Sequence, residues 1–129
     1  NGGNIVQPYL TVGQKRDNLY WLREVFSRET AEQVLDMMVR VVSDSEGTGQ
    51  AAYREDIRLA AKTGTAEIKV SQGDKNGTEL GWFAIFTADR DEERPILLVS
   101  MIEDVKDRGG SGYVVRGDKE VLDAWFAGF

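Results

Sequence analysis

A chain of 129 residues, 41% hydrophobic and 29% charged, is long enough to bury one real core and too short to suggest two. A net charge of -6 with scattered Lys and Arg argues against a nucleic-acid or anionic-membrane surface, because those partners reward clustered cations. With no Cys and no His, disulfides, thiolate or imidazole metal ligands and an imidazole base are excluded, and no metal or cofactor is expected.

No run approaches the roughly 18 apolar residues of a membrane helix, and the start, NGGNIVQ, has neither the basic nor the apolar region of a signal peptide. Asn1-Gly2-Gly3 resembles the stop that follows a helix, so the chain reads as beginning at the end of something. Residues 5 to 26, broken by Pro8, Gly13 and a charged cluster, suit extended segments and turns. In AEQVLDMMVRVVSD, Ala31, Val34, Leu35, Met38, Val41 and Val42 recur at helical spacing on one face. Thr30 is the expected N-cap, with Gln33 closing a capping box. SEGTG at 45 to 49 ends this helix.

Three strands are expected next, at 58 to 70, 79 to 89 and 95 to 104, each rich in β-branched, aromatic or other apolar residues. Their connections, SQGDKNGT and RDEER, suit antiparallel hairpins better than crossovers. The Gly-rich loop DRGGSGY then precedes a final amphipathic helix, at 118 to 126, on which Val121, Leu122, Trp125 and Phe126 share a face. The fold class is α+β: a three-stranded antiparallel meander with flanking helices and no internal repeat.

Chemistry is suggested first by LAAKTGTAEIK, residues 59 to 69. A strand puts Lys62 and Gly64 on one face and Thr63 and Thr65 on the other, and Gly64 leaves room for something to approach the backbone. That layout could hold an anion against a strand edge. The plain alternative is a solvated lysine beside a bulge.

The wider context favours the first reading. In order, ETAEQVLDMMVRVV, the loop GTGQAA, AAKTGTAE and, after a hairpin, GWFAIFTAD resemble the C-terminal half of the transpeptidase domain of class B penicillin-binding proteins. The resemblance runs over most of the chain. It implies part of a D-alanyl-D-alanine transpeptidase, on the extracytoplasmic face of a bacterial membrane with its anchor upstream, that cross-links peptidoglycan stem peptides and is acylated by β-lactams. Such proteins carry Ser-x-x-Lys, Ser-x-Asn and Lys-Thr/Ser-Gly motifs. Here the serines at 27, 43, 45, 71, 100 and 111 have no lysine three places on and open no Ser-x-Asn, so the nucleophile is expected on a missing N-terminal part, and the fragment alone should be inert.

Carried over by the resemblance, Lys62 is a catalytic cation beside the absent serines, Thr63 and Thr65 hydroxyls bind the substrate carboxylate, and Gly64 lets the ligand lie along the strand. The Thr65 N–H would be one oxyanion-hole donor. Trp82 and Phe83 are expected as sheet packing, Glu67 as a solvated strand residue, Asn76-Gly77-Thr78 as a turn, Gly109 to Tyr113 as a flexible connector, and Asp104, Lys106, Asp107 and Arg108 as a solvent face. A sensor or pseudoenzyme module and a serine β-lactamase are the alternatives. The apolar strand at 95 to 102 would lose a neighbour with the missing part, leaving an open edge for self-association.

Overall fold

The computed structural model describes residues 1–11, 13, 19–74 and 76–128. It divides into two compact units, Asn1–Met37 and Met38–Phe129.

In the first unit the expected extended segments are a small antiparallel pair, β1 (Ile5–Val6) and β2 (Tyr20–Leu22); the charged cluster of the same stretch lies outside the described residues. Gly2 and Gly3 both take positive φ, 65° and 84°. A side chain on Gly3 would place its Cβ 1.9 Å from the Phe26 carbonyl oxygen, so the tight approach there demands glycine.

Helix α1 (Arg28–Ser43) starts earlier than its apolar stripe indicates. The expected Thr30 cap with Gln33 is corrected: Ser27 Oγ accepts the Thr30 N–H at 3.0 Å, and the Ser27 carbonyl accepts the Ala31 N–H at 3.0 Å. Ser27 is therefore the N-cap and Thr30 lies inside the first turn. Thr-x-x-Gln matches the capping-box pattern, yet it is the Ser27 hydroxyl that satisfies a first-turn N–H.

The second unit is built on strands β3 (Leu59–Ile68), β4 (Thr78–Thr87) and β5 (Leu97–Ile102), antiparallel in the order β3-β4-β5. The meander is as expected. The ladder from Leu59↔Thr87 to Ile68↔Thr78 is unbroken, so Gly64 forms no bulge. Strand β5 pairs with β4 from Gly81↔Ile102 to Phe86↔Leu97, and its other edge has no strand neighbour among the described residues.

The sheet has two unlike faces. Leu59, Ala61, Phe83 and Ile85 look into a core completed by Val42, Ala52, Val105, Val114, Val115 and Leu122. The short 3-10 turn at Gln50–Ala52 and helix α2 (Ser111–Ala127) close that face. On the other, Trp82, Leu97, Val99 and Met101 are exposed.

Helix α2 corrects two expectations. It begins at Ser111, inside the Gly-rich stretch, directly after the 3-10 turn Lys106–Arg108 and the positive-φ pair Gly109 and Gly110. Residues 109 to 113 are thus a helix entry and not a connector. Its buried stripe is Val114, Val115, Asp118 and Leu122, whereas Val121 is 48% exposed. Trp125 and Phe126 are half-buried: the Trp125 indole N–H donates to the Arg94 carbonyl at 3.1 Å, and the Arg54 guanidinium lies over the Phe126 ring.

Candidate active site

Lys62-Thr63-Gly64-Thr65 sits midway along β3, an edge strand of its sheet. Alternation sends Lys62 and Gly64 to the uncovered face. There the cross-strand partners are Ala84 and Trp82. A Cβ on Gly64 would stand 3.4 Å from the Trp82 Cβ, an ordinary contact, so the glycine leaves the backbone bare of a side chain beside the indole. Lys62 is exposed, and its Nζ donates to the Thr63 carbonyl at 2.5 Å.

That contact fixes the orientation of the edge. A residue's N–H and C=O point to the same side of an antiparallel strand, and alternate residues share a side. The Thr63 carbonyl, reached by a side chain, looks outward, so the Thr65 N–H and C=O look outward too. The motif offers an exposed cation and peptide groups on the outer edge of the strand.

The two threonines differ. Thr65 is exposed opposite Gly81, and a Cβ added to Gly110 would stand 4.0 Å from its Oγ1. Thr63 is 9% exposed on the helix-covered face, where its hydroxyl meets Thr48 Oγ1 at 2.8 Å. Lys62, Gly64 and Thr65 are therefore open at the surface, while Thr63 keeps only a narrow exposed margin and turns its hydroxyl toward Thr48 in the loop after α1. Sequence reasoning assigned no role to Thr48 and read Gly110 only as part of a connector. The glycine pairs of GTG and GGSG mark both loops as tight, but nothing in the chain's order brings either to β3.

The remaining residues take structural parts. Phe83 is fully buried and Trp82 is 41% exposed on the opposite face, so their expected joint role in packing holds for Phe83; Trp82 carries the uncovered surface. Glu67 pairs with Lys69. This carboxylate lies nearest to Lys69 and raises the pKa of its ammonium. Asp74 accepts N–H bonds from Asn76 at 2.8 Å and Val70 at 3.2 Å, which hold its carboxyl below the ordinary range; the turn expected at 76 to 78 is corrected, since the turn lies at Gln72 and Gly73 and Thr78 already opens β4. Asp104 and Lys106 are exposed but engaged, with Thr78 and the Gly77 carbonyl.

No described serine is placed as a nucleophile. Ser27 caps α1, and the Ser100 hydroxyl donates to buried Asp118 at 2.8 Å. Among the described residues no group of His, Cys, Asp or Glu is arranged to hold a metal ion, and no helix is long and apolar enough to cross a membrane. The edge presents a positive charge, a hydroxyl and N–H groups, a set whose chemistry suits an extended, anionic ligand.

Known proteins resemble this chain in sequence and fold. The model of the penicillin binding protein transpeptidase domain matches residues 1–122. Over 120 residues the chain is 37% identical to penicillin-binding protein 3 of Bacillus subtilis (strain 168), covering 93% of this chain and 18% of that protein. A peptidoglycan D,D-transpeptidase FtsI homolog from Mesostigma viride is 32% identical over 93 residues, 57% of this chain and 15% of that one. The chain thus spans less than a fifth of the curated relatives it matches. Among solved structures, the apo TP domain of Burkholderia pseudomallei penicillin-binding protein 3 superposes with a TM-score of 0.58 at 22% identity, covering 84% of this chain and 34% of that one. A putative peptidoglycan glycosyltransferase from Atopobium parvulum DSM 20469 gives 0.53 at 24% identity, over 84% of this chain and 26% of the other. At these identities the two structures speak for the fold.

Proposed function

The chain belongs to the penicillin-binding protein transpeptidase family, and on that premise we propose that it is the C-terminal portion of a transpeptidase domain and forms one wall of the catalytic cleft. The substrate is a peptidoglycan stem peptide ending in D-alanyl-D-alanine, and β-lactams compete for the same edge. Outside the membrane, where such peptides are cross-linked, is where the domain works. The carrying observation is the KTGT segment on a free strand edge, with Lys62 and Gly64 on the uncovered face and the Thr65 N–H pointing outward.

Each group has a part that its chemistry suits. Lys62 supplies charge beside a nucleophilic serine and lysine contributed from elsewhere in the domain, favouring removal of the serine proton. Thr65 and Thr63 hydroxyls receive the terminal carboxylate, with Gly64 letting the peptide lie flat on the strand. The Thr65 N–H is one donor for the tetrahedral oxyanion. When the serine oxygen bonds the penultimate D-alanine carbonyl carbon, the peptide bond breaks and D-alanine leaves with a proton. A β-lactam opens its ring in the same step, and its leaving nitrogen stays attached.

Half an oxyanion hole without a nucleophile does no chemistry, because removing a single such donor already costs about 3 kcal/mol of transition-state stabilisation. The chain alone is therefore expected to form no adduct with a labelled penicillin, as read by intact mass. A longer protein supplying Ser-x-x-Lys and Ser-x-Asn should be labelled stoichiometrically, and Lys62→Ala should remove most of that labelling. Adduct formation by the 129-residue chain, or undiminished labelling of the Lys62→Ala protein, would overturn the assignment. Slow release of the acyl group distinguishes a transpeptidase from a β-lactamase, which turns it over.

A further inference from the structure

We propose that Thr48 is a positioning residue for the carboxylate-binding hydroxyl of Thr63, an inference that rests on reading KTGT as the substrate edge. Thr63 lies on the covered side of the sheet, and its hydroxyl meets the Thr48 hydroxyl at 2.8 Å. Thr48 is exposed on its other side. The pair therefore joins a buried hydroxyl to the surface next to the strand edge.

The loop that carries Thr48 is held closely. Gly47 N–H donates to the Asp44 carbonyl at 2.9 Å, Gly49 N–H to the Val41 carbonyl at 2.9 Å, and Gln50 N–H to the Gly47 carbonyl at 3.0 Å. A Cβ on Gly47 would fall 2.3 Å from the Val41 carbonyl oxygen, and one on Gly49 would fall 3.3 Å from Cε2 of Phe83. Phe83 is the residue directly across the ladder from Thr63. The same residue thus stands against the loop at Gly49 and across the ladder from the strand residue that the loop touches. Thr48, between two glycines that admit no side chain without displacement, is the one residue of GTG with a group to extend.

Two hydroxyls at hydrogen-bond distance share one proton and leave the other free. With Thr48 donating, Thr63 Oγ1 is fixed as acceptor and its own proton is directed to an incoming carboxylate. Without Thr48 the Thr63 hydroxyl loses a partner in a place where water reaches it poorly, and it must reorient before it can donate to an anion.

The test uses the longer protein that carries this segment with its nucleophile. Second-order acylation by a labelled penicillin and by its methyl ester is measured for wild type, Thr48→Val, Thr48→Ser, Thr63→Val and the Thr48→Val/Thr63→Val double variant, with thermal unfolding alongside. Thr48→Val is expected to lower free-acid acylation about tenfold and so reduce the preference for acid over ester. Thr48→Ser should keep that preference, and Thr48→Val should have no further effect once Thr63 is Val. An equal loss on acid and ester, an undiminished Thr48→Val rate, or the same loss in the Thr63→Val background overturns the proposal. If Thr48→Val unfolds early, loss of acid preference in a stably folded Thr48→Ser protein overturns it as well. A wild-type protein that is not acylated at all removes the substrate-edge reading, and this inference with it.

Discussion

Phe83 and Trp82 are neighbours in one strand, yet the first is wholly buried and the second is 41% exposed. Strand alternation places them on opposite faces, and the faces have different occupants. Beneath Phe83 lie Val42, Ala52, Val114, Val115 and Leu122 from the helices and turn. Around Trp82 are Leu97, Val99 and Met101, all exposed, together with Lys62 and Gly64 of the candidate site. One face holds this unit together. The other is an apolar surface next to a strand edge, and it contributes little to holding the chain folded because its side chains are largely left in water.

The largest effect that follows is a split between those two aromatics. Phe83→Ala should cost about 3–5 kcal/mol, the range for removing a large side chain from a close-packed core. Trp82→Ala should cost under about 1 kcal/mol, as for a surface position. Denaturant unfolding of the two variants checks this, and similar midpoints would show that the uncovered face is packed after all. In a longer protein supplying a cover for that face, Trp82→Ala should become the more costly.

A second prediction tests the covered face where it is weakest. Asp118 is 6% exposed, accepts one bond from Ser100, and has an Oδ2 with no hydrogen-bond partner in the structure. Burial pushes its pKa up, against a smaller opposing effect from the Ser100 bond. The folded chain thus holds the proton more tightly than the unfolded one. Its contribution to stability is full below the ordinary carboxylate pKa and is lost as pH rises through the raised value. Asp118→Asn keeps the acceptor for Ser100 without the charge, so at neutral pH it should stabilise by about 1 kcal/mol and flatten that part of the pH profile. Asp123 runs oppositely: the Lys119 ammonium at 2.6 Å and then Arg54 hold its carboxyl low, so its contribution is lost as pH falls. An unchanged profile in Asp118→Asn would refute the buried-charge account.

How far the residues themselves disclosed this arrangement varies with the range of the forces involved. The strands were legible because β-branched and aromatic runs are local signals, and the short connections favoured antiparallel pairing. The stripe of α1 was legible by its period, but its start was not, since Ser27 and Thr30 compete for one cap and the geometry of the first turn decides. Helix α2 was misjudged at its start because Gly109, Gly110, Gly112 and Gly117 look like loop. Burial of Val114, Val115 and Asp118 against the sheet outweighs the helix cost of the internal glycines, roughly 1 kcal/mol each. Val121 fell on the wrong side because the buried stripe is set partly by Val114 and Val115, which lie before the expected start and were left out of the pattern. At the site, KTGT and its alternation were legible, while Thr48 was not, for its contact with Thr63 spans 15 positions and depends on how the loop folds back.

The smallest expected effect on folding belongs to the far edge of the sheet. Strand β5 has β4 on one side and no strand neighbour on the other among the described residues, and its exposed residues Leu97, Val99 and Met101 are all apolar. An unpaired edge of this kind offers its N–H and C=O groups to another chain, and a charge on such a strand is what blocks it. Val99 is 58% exposed, so Val99→Lys removes little packing and should change stability by no more than about 0.5 kcal/mol. Its effect on association should be much larger than that. The isolated chain is expected to self-associate through β5 as its concentration rises, and the Val99→Lys chain to remain monomeric over the same range, both read by sedimentation or light scattering. If both chains are monomeric, and amides of residues 97 to 102 exchange quickly, the edge is open but inert. If both associate equally, the contact lies elsewhere than the face that carries Val99. The comparison between the faces is sharpened in either case, because a lysine on the covered side, as in Phe83→Lys, should unfold the chain outright by burying an unpaired charge.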